Sequence, residues 1–274
     1  MSRIAFIGGG NMASALIGGM IARGTKPAAI SVVEVVPAAR RRLARRRVYA
    51  SAAPDARTAK ADILVLAVKP QDMRAAATTL AAVAAGKLII SVAAGIRLAD
   101  LSRWLGGHRR LVRCMPNTPA LIGAGISGLY AVKGASAADK RCAERILAAA
   151  GKVVWVPDEA LIDPVTAVSG SGPAYVFWFI EQLEASALAL GLAPTAARLL
   201  ALETVLGAAK LAAGSKDAPA TLRERVTSKG GTTAAALKVF ADEDLAARLR
   251  RAVEAASRRG AEMGVAFGKD SGKD

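Results

Sequence analysis

The sequence predicts an α/β protein: a mostly parallel sheet domain over residues 1–162, then an all-helical domain over residues 163–274. Three observations lead there. Short apolar runs alternate with helix-length segments through the first half, the pattern of a sheet covered by helices on both faces. No convincing strand follows about Ile162. A glycine-rich turn at residues 8–13 ends the first apolar run and opens the first helix.

Taken in order, Ile4–Gly8 is a strand, and Asn11–Arg23 is a helix stopped by Gly24. Ile30–Val35 is β-branched and reads as a strand, and Pro37–Arg47 is a helix with Pro in its first turn. Asp62–Val68 is an apolar strand broken by Lys69-Pro70. Met73–Ala85 is a helix, Lys87–Val92 a strand and Arg97–Leu105 a short helix, while Leu111–Cys114, Ile126–Tyr130 and Val153–Val156 are further strands. The helical half comprises Pro173–Leu190, Thr195–Ala213, Thr232–Phe240 and Asp244–Met263, with a polar, frayed tail from Gly268 to Asp274. Tyr175–Leu190 is apolar nearly all round. Such a helix needs burial on every side, and in so small a domain this points to a second subunit.

The turn Gly8-Gly9-Gly10-Asn11-Met12-Ala13 has the form G-x-G-x-x-A, after a strand and opening a helix. Gly8 permits the tight turn, Gly10 lets a pyrophosphate approach the backbone, and Ala13 lets helix and strand pack closely. The helix N-terminus offers free N–H groups to phosphate. The first domain is therefore expected to be a Rossmann-type, dinucleotide-binding domain. Glu34, about 21 residues after Ala13, lies where an acidic residue would bind the ribose hydroxyls of NAD. It would repel the extra phosphate of NADP unless Arg40, Arg41 or Arg42 compensates. The alternative is a strand-end carboxylate paired with those arginines.

Composition narrows the rest. The formal charge is +16, from 38 basic and 22 acidic side chains. Aromatics are only 4% and no nucleic-acid module is recognisable, so stacking on bases is not expected and no nucleic-acid partner is predicted. The basic run from Arg40 to Arg47 reads as a solvated helix face. Cys114, Cys142 and the single histidine, His108, make neither a disulfide framework nor a metal site. With no leader segment and no apolar run of bilayer-spanning length, a cytoplasmic protein without a membrane partner is expected.

Further segments carry a resemblance. Besides the opening Gly-Gly-Gly-Asn-Met-Ala, they are Ala67-Val68-Lys69-Pro70-Gln71, Ser91-Val92-Ala93-Ala94-Gly95, and Arg113 to Pro119 (Arg-Cys-Met-Pro-Asn-Thr-Pro). Thr166 to Tyr175 (Thr-Ala-Val-Ser-Gly-Ser-Gly-Pro-Ala-Tyr) and Val226 to Thr233 (Val-Thr-Ser-Lys-Gly-Gly-Thr-Thr) complete the set. Six segments in this order, from residue 8 to 233, resemble the pyrroline-5-carboxylate reductases. The resemblance implies reduction of 1-pyrroline-5-carboxylate to L-proline with NADP or NAD, and a homodimer or a ring of dimers. Besides Glu34, assigned from its place after the turn, it implies that Gly8, Gly10, Asn11, Met12, Ala13, Ala67, Val68, Lys69, Pro70, Ala93, Ala94 and Asn117 meet the cofactor. It also implies that Thr166, Ser171, Gly230, Gly231, Thr232 and Thr233 meet a small imine substrate, with Thr233 catalytic.

The residues themselves allow that chemistry without compelling it. A hydride transfer needs no metal and no Cys–His or Ser–His pair, because the cofactor carries the reaction. Backbone N–H groups at Gly230–Thr233 can cradle a carboxylate, and a Thr hydroxyl can donate to an imine nitrogen; the same threonines can also simply cap a helix. Asn117 likewise reads as a turn residue. Lys229 stands where the family usually has Pro, and Glu34 where it often has Ser or another small polar residue. The rivals are a reductase of another imine or a 2-ketoacid, and a cofactor-binding regulator without turnover. A β-hydroxyacid dehydrogenase would usually carry a catalytic Lys on the first helix of the second domain, and Pro173–Leu190 has none.

Overall fold

The computed structural model describes residues 2–269. Strands and helices are numbered in chain order. Among the described residues, β1 (Ile4–Ile7), β2 (Ile30–Val33), β3 (Tyr49–Ser51), β4 (Ile63–Leu66), β5 (Leu88–Ser91), β6 (Leu111–Met115), β7 (Gly125–Ala131) and β8 (Gly151–Trp155) form one sheet in the order β3-β2-β1-β4-β5-β6-β7-β8. All neighbours are parallel except β6 and β7, so the sheet is mostly parallel, as expected. Every residue of β1, β4 and β5 is buried, which is why these strands read as unbroken apolar runs rather than alternating ones.

The sheet is covered on both faces. On one, Phe6, Ile90 and Val112 pack with Leu16 and Ile17 of α1 (Asn11–Ala22), Leu43 of α2 (Pro37–Arg45) and Leu147 of α6 (Ala137–Ala148). On the other, Ala5, Leu64 and Ile89 pack with Leu80 of α4 (Met73–Ala84), Leu101 of α5 (Leu98–Trp104) and Ala61, which follows α3 (Ala56–Lys60). Sequence reading missed β3, α3 and α6. It also left open the direction of β7, which pairs Arg113 with Tyr130 and Cys114 with Leu129 in the antiparallel sense.

By its contacts the chain divides into two compact units. One runs through Ser171 and resumes at Ala255; the other is Gly172–Glu254. The expected division at 162/163 differs on two counts. α7 (Ile162–Val165) and the π-helical turn Thr166–Gly170 stay with the sheet, because Val165 lies over Gly128 of β7. The final helix also returns to the sheet. The second unit is helical as expected: α8 (Gly172–Ala189), α9 (Pro194–Gly214), α10 (Pro219–Arg225, not foreseen), α11 (Thr232–Asp242) and the start of α12 (Leu245–Gly268).

Two expectations change. Helix α12 continues through Gly268 rather than fraying there, and Phe267 packs on the sheet's second core; residues 270–274 of the expected frayed tail lie outside the described residues. No residue of α8 is buried within one chain, and Phe177 and Trp178 are 65% and 56% exposed. The burial its composition demands does not come from its own chain.

Helix α1 supplies a test of packing against propensity. A Cβ on Gly19 would lie 2.0 Å from the Ala149 carbonyl oxygen, whereas one on Gly18 would meet the flexible end of Arg46 at 3.0 Å. Both glycines are mid-helix, where alanine is ordinarily favoured by about 0.5–1 kcal/mol. Gly18→Ala should therefore be neutral or mildly stabilising, and Gly19→Ala should destabilise by about 1–3 kcal/mol through overpacking. Denaturant titration of the two variants reads the difference, and equal midpoints would contradict it.

Candidate cofactor cleft and substrate turns

The strand order reverses between β1 and β4, and at such a switch point the loops after the strands part to leave a crevice. A cleft of about 730 Å³ opens there, lined by Ile7, Gly8 and Gly10 after β1, Val33 to Val36 after β2, and Ala67 to Lys69 after β4. Ala52 to Pro54, after β3, also line it. Gly8 and Gly10 leave the backbone after β1 approachable from the cleft.

Two glycines of the turn differ in what constrains them. Gly8 has φ +97° and no room, since a Cβ would sit 2.6 Å from the Ala67 carbonyl oxygen. Gly10 would meet nothing within 4 Å: the fold leaves open space there, at the N-terminus of α1, for something outside the chain. Helix α1 has no side chain capping that end, so its first N–H groups are left to an anionic ligand. Asn11 is exposed at the helix start, Met12 is partly buried against the core, and Ala13 is fully buried beneath the turn.

Glu34 is 8% exposed. One carboxylate oxygen accepts the Gly9 N–H at 2.7 Å and the other the Val36 N–H at 2.7 Å. The alternative of an ion pair with the following arginines is therefore not what holds it. Arg40 instead donates to the carbonyl oxygens of Glu34 and Val35, at 2.7 and 2.9 Å. Arg46 reaches back to the Ser14 carbonyl at 3.1 Å. Arg41, Arg42 and Arg45 remain on the exposed face expected of this helix. Glu34 also lines the cleft, and each carboxylate oxygen has capacity to accept a further hydrogen bond.

Gly8, Gly10, Glu34, Ala67, Val68 and Lys69 thus share one cleft. Pro70 starts the 3₁₀ turn directly after it. Ala93 and Ala94 follow β5, the next strand along, and Asn117 follows β6. Asn117 is 9% exposed and its side-chain oxygen accepts the Ile126 N–H at 2.9 Å, so its turn-forming role is real. Cys114, beside it, is buried, and burial pushes its thiol pKa up, keeping it protonated and inert.

The expected substrate residues fall in both units. In the first, the Thr166 hydroxyl donates to the Ile162 carbonyl at 2.7 Å, and the Ser171 N–H closes the π-helical turn on the Thr166 carbonyl at 2.8 Å. In the second, Gly230 has φ +73° and turns the chain into α11. Gly231 is that helix's N-cap and receives no side-chain cap. Thr232 and Thr233 are thus its first two residues, not capping residues, which disfavours the helix-cap reading. Sequence reasoning missed the buried Arg113 cluster described below. Among the described residues no group of His, Cys, Asp and Glu could hold a metal ion, and no helix is long and apolar enough to cross a membrane.

A switch-point cleft over a G-x-G-x-x-A turn, with an acidic residue at the end of β2, defines a dinucleotide-dependent oxidoreductase of the Rossmann class. Residues 3–95 match the family profile for NADP oxidoreductase, coenzyme F420-dependent, and residues 159–263 the profile for pyrroline-5-carboxylate reductase dimerisation. The chain is 47% identical to the pyrroline-5-carboxylate reductase of Pseudomonas aeruginosa, over 97% of this chain and 98% of the relative. The pyrroline-5-carboxylate reductase structure from Coxiella burnetii superposes with a TM-score of 0.91 at 38% identity, covering 96% of this chain and 98% of that one. The Plasmodium falciparum pyrroline carboxylate reductase with NADP bound superposes with a TM-score of 0.83 at 28% identity, over the same shares. The chain belongs to the pyrroline-5-carboxylate reductase family.

The contrast between the two glycines can be measured. Gly10→Val should fold with near wild-type stability yet lose nicotinamide-cofactor binding, because its side chain fills only the cleft. Gly8→Ala should lose stability first. Calorimetric titration of cofactor together with thermal melting separates the two; a folded Gly10→Val protein with unchanged affinity would reduce the loop to a turn.

Proposed function

We propose that the chain reduces 1-pyrroline-5-carboxylate to L-proline, the last step of proline biosynthesis, using NADPH or NADH. The observation that carries this reading is the open space at Gly10 beneath an uncapped helix N-terminus, in a chain of this family. When bound, the reduced nicotinamide supplies a hydride to the imine carbon. The chain's own residues have the remaining work: holding the cofactor, holding the substrate carboxylate, and donating to the imine nitrogen.

For the cofactor, the backbone at Gly8, Gly10, Asn11, Met12 and Ala13 receives the pyrophosphate and Glu34 the adenosine ribose. Ala67, Val68, Lys69 and Pro70, then Ala93, Ala94 and Asn117, follow towards the nicotinamide. For the substrate, we assign Thr166 and Ser171 in the first unit and, in the second, Gly230, Gly231 and Thr232, where the free N–H groups at the start of α11 suit the charge of a carboxylate. Thr233 donates a hydrogen bond from its hydroxyl to the imine nitrogen, a bond that strengthens as the nitrogen gains electron density in the transition state; the proton that the nitrogen takes up as hydride reaches the carbon comes from water. The protein works as a homodimer, alone or as part of a ring of dimers, through α8 and its neighbours, whose exposed Phe177 and Trp178 need a partner surface. The two unpaired cysteines suit a reducing compartment, and we place the enzyme in the cytoplasm.

Following NADPH absorbance with and without 1-pyrroline-5-carboxylate tests the activity, and cofactor oxidation that ignores the imine would end the reading. Thr233→Ala should cut turnover by roughly ten- to a thousandfold, the range for losing one preorganised transition-state hydrogen bond. The KM for cofactor should scarcely move. Near-normal turnover would leave Thr233 with no catalytic part.

Cofactor choice is the other measurable consequence. The extra phosphate of NADPH would meet the Glu34 carboxylate, and like charges about 4 Å apart cost on the order of 4 kcal/mol at an effective dielectric near 20. Both cofactors should therefore work, with NADPH favoured less than is usual in the family. Glu34→Ser should raise the NADPH-to-NADH ratio of kcat/KM by about tenfold, equivalent to about 1.4 kcal/mol. Absolute efficiency should fall with both, because the Gly9 and Val36 N–H groups lose their acceptor. An unchanged ratio would show that Glu34 acts only through the loop.

A further inference from the structure

Arg113 lies on β6, 2% exposed. Its Nη1 is 3.1 Å from Glu159 Oε1 and its Nη2 3.3 Å from Asp163 Oδ1. Its Nε has no partner, so the two terminal nitrogens make its whole connection. Glu159 also accepts the Leu98 N–H at 2.8 Å, which ties in the start of α5. A buried ion cluster of this kind gives little net stability over apolar packing, because desolvation offsets the attraction. What it does supply is a fixed geometry.

That geometry bears on the turn that follows. Asp163 lies in α7, directly before the π-helical residues Thr166–Gly170. At the other end of the turn, Gly170 lies against Met115, whose Cε would be 2.5 Å from a Cβ there. Arg113 and Met115 are two apart on one strand and so point to the same face. One face of β6 therefore meets the turn at both ends: ion pairs hold the segment before it, and the tip of Met115 packs on its last residue. Gly128, beneath Val165, lets the segment approach that closely. A π-turn carries one residue more than the α-helix it interrupts, and such turns gather at functional sites. Relaxed to α-helical bonding, the segment would rotate every following residue by about 100°, Ser171 included.

We infer that Arg113 is a positioning residue for substrate: it clamps the π-helical turn 166–170 onto β6 and so sets where Thr166 and Ser171 stand. This rests on the proposed function, in which that turn meets the imine's carboxylate. Arg113 itself touches neither substrate nor cofactor. The cofactor cleft, built at the ends of β1, β2 and β4, takes no part in the clamp.

The test is steady-state kinetics of the full-length enzyme, varying 1-pyrroline-5-carboxylate and NADPH separately, with thermal melting alongside. Arg113→Lys keeps the charge but loses the planar fork that sends one nitrogen to each carboxylate, and it should raise KM for the imine at least tenfold while KM for NADPH stays within about twofold. Asp163→Asn removes one charge from a partly accessible site and should raise KM for the imine about threefold or more. Gly128→Ala leaves the ions intact but would set a Cβ 2.6 Å from Cγ1 of the branched, stiff Val165, lifting the segment off the sheet, and it should do the same. A merely structural cluster would lower the melting temperature and leave both KM values alone; that outcome overturns the inference. If Arg113→Lys does not fold, the other two variants decide. Ser171→Ala and Thr166→Val run in parallel. If they leave KM for the imine unmoved, the turn does not meet substrate and the functional reading of it falls, taking the clamp with it. If they move it and the clamp variants do not, the clamp alone is wrong.

Discussion

The cleft depends on one carboxylate used as a structural acceptor. Glu34 stands at the end of β2, and its two oxygens take the N–H groups of Gly9 and Val36, one from each side of the crevice rim. Leaving a buried N–H unpaired costs about 1–3 kcal/mol, and bonds to a charged acceptor are the stronger kind. This one side chain therefore fixes the turn after β1 relative to the turn after β2. The Gly8-to-Ala13 turn can stay open over Gly10 because its neighbour Gly9 is held from behind. The residue that lines the cleft beside β2 is thus the same residue that holds the turn after β1, so a substitution that removes the Glu34 carboxylate also loosens the loop.

The parts of the fold legible in the sequence are those with a local cause. β1, β4 and β5 are buried on both faces, so they spell themselves as apolar runs, and α1 announces itself through the turn that opens it. β3 has only three residues, too few for any period. α6 carried a readable signal that went unused: Ser136 and Asp139 form a reciprocal capping box, visible as Ser-x-x-Asp ahead of a helix. The antiparallel direction of β7 has no local signature at all. It follows from a connection of nine residues between β6 and β7, too short for the helical crossover a parallel pair would need.

The site divides in the same way. The G-x-G-x-x-A turn and Glu34 were readable because their chemistry lies in consecutive residues or at a fixed offset. Arg113 was visible only as a letter in a motif. Its partners lie 46 and 50 residues further on, and ion pairs across such distances leave no periodic trace. The dimerising helix was legible for the opposite reason: α8 lacks a polar face, so its composition states that something must cover it, even though no residue of it is buried in the single chain.

Glycine shows how the fold separates architecture from ligand space. At Gly8 and Gly19 the missing side chain is replaced by the chain's own carbonyl oxygens, at 2.6 and 2.0 Å from where a Cβ would sit. These glycines let one element press on another. At Gly10 the missing side chain is replaced by nothing. Gly10 has neither a positive φ nor a close neighbour to require it, and it stands at the uncapped start of α1 on the cleft wall, where a side chain would take up ligand space. The turn alternates the two kinds within three residues: Gly8 brings the backbone down onto β4, Gly9 gives its N–H to Glu34, and Gly10 leaves the surface bare at the positive end of α1. A charged ligand approaching that end meets unpaired N–H groups with no side chain in the way, and that is the physical content of the motif in this chain.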